Sequence, residues 1–401
     1  MSALLQPGKE EVCVMGENEF TLRKFVAPEF VFGVGARHLA GRYAKNLGAR
    51  KILVVSDPGV VAAGWTRDVT DSLEAVGLPF ALFTGVTSNP KVDEIMAGVA
   101  VYRGEECNAL IAVGGGSPID CAKGIGIVSS NDRHILQFEG VDMVRIPMPP
   151  LICVPTTGGT SADVSQFAII SNPQEKVKFA IISKSVVPDL ALIDPATLTT
   201  MDSYLTACTG LDALTHAIEA YVSTARSAMT DLHAIEAIRL VSSNLLPSMA
   251  NPDDLELRTK VMQGSLQAGL AFSNAILGAT HAMAHSLGGA LDIAHGECNA
   301  ILLDHVIEFN LPAAPQRFEQ IAEAMGLDLR GLDSVKKKSA LLNHVRKLKA
   351  AAGISRTLNE LGVGRSDMNF LTNHALKDPC MATNPRKATQ RDIEVVYEES
   401  L

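Results

Sequence analysis

Two hydrophobic rhythms divide this chain. Between residues 51 and 157 short apolar, β-branched runs alternate with longer segments in which apolar residues recur every three or four positions. KILVVSD (51–57), FALFTGV (80–86), ALIAVGGGS (109–117) and PLICVPTT (150–157) read as strands buried on both faces. The intervening segments read as a turn and a helix from Pro58 to Gly77 and as a helix from Val92 to Cys107. Strand and helix in alternation predict a parallel sheet with right-handed crossovers. After DPATLTTMD (194–202) the strands stop. YLTACTGLDALTHAIEAYVS, DLHAIEAIRLVSSNLL, ELRTKVMQGSLQAGLAFS, APQRFEQIAEAMG and KSALLNHVRKLKAAAG all carry helical spacing. The expectation is an α/β domain over 1–202, with 1–24 as an extension of little structure, followed by an all-helical domain over 203–401.

Two domains also suit the length of 401 residues. With 47% apolar and 20% charged residues, a well-filled interior is expected. A formal net charge of -9, with no basic run, argues against nucleic acid or an anionic membrane as the main partner. The seven cysteines, at 13, 107, 121, 153, 208, 298 and 380, include no C-x-x-C pair. That is the pattern of a reduced cytosolic protein without disulfides. The first twenty residues offer neither a basic nor a long apolar segment, and no apolar run approaches about 18 residues, so a soluble, cytoplasmic protein is expected.

The glycine-rich turn Gly114-Gly115-Gly116 follows the third predicted strand. Ser117 as N-cap and Pro118 at the first helical position would start a helix through PIDCAKGIGIV. Bare N–H groups and the positive end of a helix dipole suit a pyrophosphate. Such turns also serve tight packing, and this one is not the G-x-G-x-x-G fingerprint. Asp57, closing the first predicted strand, could accept ribose hydroxyls and repel a 2′-phosphate, or simply form the turn before Pro58-Gly59. PTTGGTSADVS (155–165) adds hydroxyls and open backbone.

GATHAMAHSLGGALDIAHGEC (278–298) places three of the ten histidines within fifteen residues. His281 and His285 share a helical face at i and i+4. His295 is expected beyond a helix break at Gly288-Gly289, returned by a turn. Asp212 and His216 form a second i, i+4 pair in an apolar helix, where a buried charge needs a partner. With His281 and His295 they complete three imidazoles and one carboxylate, a donor set for Fe(II) or Zn(II). His233, His305, His344 and His374 lack such company and read as structural or solvent-facing.

Taken together, FGVGA (32–36), GGGSPIDCAK (114–123), PTTGGTS (155–161), DPATL (194–198), GLDALTHAIEAY (210–221), GATHAMAHSLGG (278–289), HGECNA (295–300) and NPR (384–386) resemble the iron-containing (group III) alcohol dehydrogenase family, from about residue 27 to the end. The resemblance implies a dehydroquinate synthase-like two-domain architecture, with a dinucleotide-binding domain, a helical domain and an active site between them. It gives the metal-ligand role to Asp212, His216, His281 and His295, with Fe(II) the expected ion and Zn(II) the alternative. It gives His285 a proton-transfer or cofactor-contact role. NAD is implied at Asp57, Asn89, Gly115, Gly116, Ser117, Asp120, Thr156, Thr157 and Lys178, and the substrate pocket at Phe167, Phe272, Leu277 and Cys380.

The implied reaction is hydride transfer between a short-chain primary alcohol or diol and NAD, with a small-molecule alcohol or aldehyde as partner and a homo-oligomer as assembly. One departure stands out: Gly159-Thr160-Ser161-Ala162-Asp163 replaces the family's usual Gly-Thr-Gly-Ser/Ala-Glu turn. The alternatives are a dehydroquinate synthase-like lyase, which needs a cluster of basic residues for a phosphorylated substrate, a metallohydrolase, and a non-enzymatic NAD sensor.

Overall fold

The computed structural model describes residues 22–401. Most of the expected 1–24 extension, and Cys13 with it, lies outside the described residues. Strands β1 (Glu29–Phe32), β2 (Ile52–Val55), β3 (Phe80–Phe83), β4 (Ala109–Gly114), β5 (Gly140–Val141), β6 (Leu151–Pro155), β7 (Phe167–Asn172), β8 (Val177–Ile182) and β9 (Leu190–Ile193) all lie before residue 194. Helices α1 (Ala40–Asn46), α2 (Pro58–Ala62), α3 (Trp65–Ala75), α4 (Val92–Gly104) and α5 (Gly116–Asn131) are interleaved with them. From Ser203 onward the regular structure is helical: α6 (Ser203–Val222), α7 (Ala228–Ala250), α8 (Leu255–Ala275), α9 (Ala279–Leu291), α10 (His295–Asn310), α11 (Pro315–Ala324), α12 (Ser334–Ala351), α13 (Met368–Lys377) and α14 (Gln390–Glu399).

A parallel sheet has the order β1-β9-β6-β4-β2-β3. β2 and β4 are buried along their whole length because helices cover both faces. After β3 the chain crosses back past β2 to β4, and such a reversal opens a crevice at the carboxyl ends of the two strands. Asp57 and the glycine turn sit at those ends. The sequence pattern did not reveal β1, a four-residue edge strand with half its positions exposed. The glycine turn therefore follows the fourth strand of the chain, not the third.

Also absent from the pattern is a small second sheet, β5-β8-β7, whose β7 and β8 pair antiparallel. Its register sets Ser171 opposite Lys178.

The helical part is built around α6, which is buried from Thr206 through Val222. A helix that is apolar on all sides belongs in a core, and its few charged groups must then meet partners. One expectation fails here: α9 does not break at Gly288-Gly289 but continues to Leu291, and His295 opens a new helix instead of lying in a turn. The glycines are there for packing. A Cβ on Gly289 would lie 2.7 Å from the backbone of Lys178 and Val177, and one on Gly288 would lie 2.7 Å from Lys178 Nζ. The six cysteines among the described residues are buried and free. No helix among those residues is long and apolar enough to cross a membrane.

Candidate active site

Three helices bring the acid and imidazoles together. α6 carries Asp212 and His216 one turn apart, α9 carries His281 and His285, and α10 presents His295 at its first turn. Asp212 Oδ1 lies 3.6 Å from His281 Nε2 and 3.8 Å from His295 Nε2, and Asp212 Oδ2 lies 3.9 Å from His216 Nδ1. The His216 ring stacks between Phe272 and His281, at centroid distances of 4.3 and 4.4 Å.

This cluster is rich in acceptors and poor in donors, as a cation site must be. His216 Nδ1 is buried without a hydrogen-bond partner. Asn299 Nδ2, one turn after His295 on α10, approaches Asp212 Oδ1 at 2.7 Å, His281 Nε2 at 3.1 Å and His295 Nε2 at 3.2 Å. A single amide cannot serve all three fully. Burial lowers the affinity of His281 for a proton, but Glu219 and Asp212 outweigh it and raise the imidazole to about 9. Burial would raise the Asp212 carboxyl, yet His216, His281 and His295 hold it well below its usual range. His216, by contrast, is pushed down to about 4, mainly by burial. The cluster thus attracts positive charge at its centre, and one carboxylate with three imidazoles fits Fe(II) or Zn(II).

Two cavities meet at this cluster. A cleft of about 580 Å³ is lined by Asp57, Asn89, Gly115, Gly116, Ser117, Thr156 and Thr157, seven of the nine positions that the resemblance marks for NAD. An inner cavity of about 150 Å³ is lined by Phe167, Phe272 and Leu277 together with His281 and His285. Asn89, Gly116, Ser117, Thr160, Asp212 and His295 line both.

At the cleft floor the helix α5 starts two residues earlier than expected. Gly115 is its N-cap and Ser117 lies inside the first turn, so backbone N–H groups face the cleft without a side-chain cap. Thr157 and Thr160 pack so close to Gly115 and Gly116 that an added Cβ would meet them at 3.0–3.2 Å. Both readings of Asp57 hold locally: it N-caps α2, accepting from the Val60 N–H at 3.0 Å, while lining the cleft.

Three positions marked by the resemblance do not line the cavity that their expected role suggests. Asp120 and Lys178 line the inner cavity, not the cleft. Asp120 is drawn inward because its Oδ2 accepts the Ile169 N–H of β7 at 3.1 Å, and burial raises its carboxyl to about 6. Lys178 projects from β8 and donates to Asn89 Oδ1 at 2.7 Å. Asn89 in turn donates to Asp292 Oδ1 at 2.7 Å, so its side-chain amide is already committed to protein partners. Cys380 does not line the inner cavity: it follows Asp378 in a tight turn, and its thiol is buried beside Asp378 and His285.

Reading the sequence missed the carboxylates that hold the histidines. His281 Nδ1–H donates to Glu219 Oε2 at 2.6 Å, and His285 Nδ1–H donates to Asp378 Oδ2 at 2.8 Å. Each carboxylate thereby fixes its ring through Nδ1, so that Nε2 is the nitrogen turned away from it. Glu219 carried a signal, one turn beyond His216 on the same face. Asp378 did not, since 93 residues separate it from His285.

Two motifs turn out to be structural. Asn384 of NPR accepts the Ala279 N–H at the start of α9, and Asp194 of DPATL accepts the Gly35 N–H of FGVGA. In the departing turn Ser161 adopts a left-handed φ of 48° and donates to the Ser265 carbonyl of α8 at 2.7 Å. Among the described residues lining the two cavities, Lys178 is the only lysine or arginine, too little for a phosphorylated lyase substrate.

Residues 27–195 match the family model described as iron-containing alcohol dehydrogenase, and residues 206–401 match that of the Fe-containing alcohol dehydrogenase family, C-terminal. The chain is 39% identical over 371 residues to 1,3-propanediol dehydrogenase of Klebsiella pneumoniae, covering 92% of this chain and 96% of that protein. It is 36% identical over 368 residues to lactaldehyde reductase of Escherichia coli (strain K12), covering 91% and 96%. A crystal structure of 1,3-propanediol oxidoreductase superimposes with a TM-score of 0.92 at 38% identity, covering 95% of this chain and all of that one.

Proposed function

The chain belongs to the iron-containing alcohol dehydrogenase family, and from that premise we propose that it interconverts short-chain primary alcohols or diols and their aldehydes with NAD, using Fe(II) held by Asp212, His216, His281 and His295. One observation carries the reading: the dinucleotide-sized cleft and the small inner cavity share Asp212 and His295 in their walls. When bound, a divalent ion supplies a Lewis acid for an alcohol or aldehyde oxygen and a nicotinamide supplies the hydride acceptor or donor.

The residues divide the remaining work. Backbone N–H groups of Gly116 and Ser117 at the start of α5 would hold a pyrophosphate, and Asp57 would accept ribose hydroxyls and disfavour a 2′-phosphate. His285, with Nδ1 tied to Asp378, moves a proton at Nε2. Phe167, Phe272 and Leu277 exclude water and limit size. A volume of about 150 Å³ holds about five waters at ~30 Å³ each, hence a substrate of a few heavy atoms. The similarity to 1,3-propanediol dehydrogenase and lactaldehyde reductase supports small oxygenated substrates. Two units meeting near residue 202, and a cytosolic homo-oligomer, complete the proposal.

Anaerobic reconstitution with Fe(II) or Zn(II), followed by NADH absorbance against short alcohols, diols and aldehydes, tests it. Turnover is expected with the metal-loaded protein and its loss in Asp212→Ala, with NAD binding retained. Full activity of metal-free Asp212→Ala would overturn the reading.

A further inference from the structure

The chain's single tryptophan has no part in the chemistry above, yet it stands in the wall of the cleft. Trp65 opens α3 directly after Gly64, whose φ of 89° turns the chain sharply out of α2. Its indole is fixed on two sides. Nε1–H donates to Thr200 Oγ1 at 2.8 Å, and the Arg37 guanidinium lies 4.9 Å from the ring centroid. Arg37 is itself held by Asp68 and Asp194. With the one indole donor used, what Trp65 can offer a ligand is apolar π surface, already ordered before anything binds.

Its place in the cleft says which part of a dinucleotide that surface would meet. Asp212, His295 and Thr160 line both cavities, so the reacting end belongs where the two join. The bare helix start at Gly116 takes the pyrophosphate. Trp65 and Asp57 line the cleft but not the inner cavity, on the portion left for the adenosine.

We propose that Trp65 forms the wall against which the adenine ring of the dinucleotide packs, an inference that rests on the NAD reading above. A flat base with apolar faces matches a rigid, partly exposed indole, and base–aromatic contact of this kind is strong enough to be measured by substitution.

The test uses metal-loaded protein and two overlapping fragments of the cofactor, ADP-ribose and nicotinamide mononucleotide. Saturation with ADP-ribose, which carries the adenine and cannot accept energy from tryptophan, should change the Trp65 emission, and nicotinamide mononucleotide should not. By calorimetry Trp65→Ala should weaken ADP-ribose and NAD by about tenfold. Trp65→Phe, which keeps a ring and guards against misfolding, should lose less. Unchanged emission on saturation with ADP-ribose, or equal affinity of the wild type and both variants, overturns the role of Trp65 while leaving NAD binding intact. Failure of the wild type to bind either NAD or ADP-ribose overturns the dinucleotide reading and this inference together.

Discussion

Glu219 Oε2 accepts the Nδ1–H of His281 at 2.6 Å, and Glu219 lies seven residues after Asp212 on the same buried helix. Two turns of α6 therefore supply two candidate ligands, Asp212 and His216, and the group that orients a third. Glu219 also accepts the backbone N–H groups of Gly278 and Thr280, so one carboxylate fixes both the start of α9 and the ring that α9 delivers.

Replacing that carboxylate should weaken the metal site without dismantling it. Glu219→Gln keeps an acceptor for the α9 backbone but loses the charge that polarises His281. Affinity for Fe(II) or Zn(II), read by competition with a chelator, should fall about 10–100-fold. A dissociation constant within twofold of the parent would reject the orienting role.

Asp378 should matter to turnover more than to binding. Its carboxylate sets the tautomer and angle of His285, so Asp378→Asn is expected to lower kcat by about 10–100-fold with little change in KM for the alcohol. Steady-state kinetics decide it: a rise in KM at unchanged kcat would make Asp378 part of the pocket wall only.

Gly289 should tolerate no side chain. Its missing Cβ is what lets α9 pack against β8, since an added Cβ would lie 2.7 Å from the strand's backbone, and the clash in Gly289→Ala must be relieved by moving the strand that carries Lys178. A loss of about 1–3 kcal/mol in urea unfolding is expected. A variant as stable as the parent would show that the contact has slack.

Stability should also respond to acid through Asp163. Burial pushes this carboxyl up to about 6, with its own backbone N–H and Lys123 opposing, whereas an unfolded Asp titrates at about 3.9. Between these values the native state binds more protons than the unfolded state, so this group makes stability fall as pH rises from about 4 to about 6, with no further change above. Asp163→Asn should flatten that part of the pH–stability curve by about 2–3 kcal/mol. Unfolding free energies at pH 4.5 and 7 measure it, and an unaltered slope would refute it.

The division into a sheet-bearing first half and a helical second half was legible because the two periodicities differ and because β2, β4 and α6 are buried along nearly their whole length. Burial on every side leaves long apolar runs that need no partner to be recognised. β1, β7 and β8 were not legible: β1 is a short edge strand, and β7 and β8 lie outside the regular strand–helix alternation. Gly288-Gly289 misled for a similar reason. Glycine in sequence signals conformational freedom, but here it answers the close approach of a strand 110 residues away, which spacing along one segment cannot reveal.

What the chain alone supplied was a candidate donor set: one carboxylate and three imidazoles, with two i, i+4 pairs whose faces follow from helix geometry, and a glycine turn suited to phosphate. Tertiary structure decided how these groups are used. Periodicity ranked His281 and His285 equally, and they part because Glu219 holds the first toward Asp212 while Asp378, from the far end of the chain, holds the second. The same packing turned Asp120 and Lys178 inward and drew Cys380 away from the cavity wall. Helix and strand periods fix directions within one element. Distances between elements are set by packing, and the chemistry of this site depends on those distances.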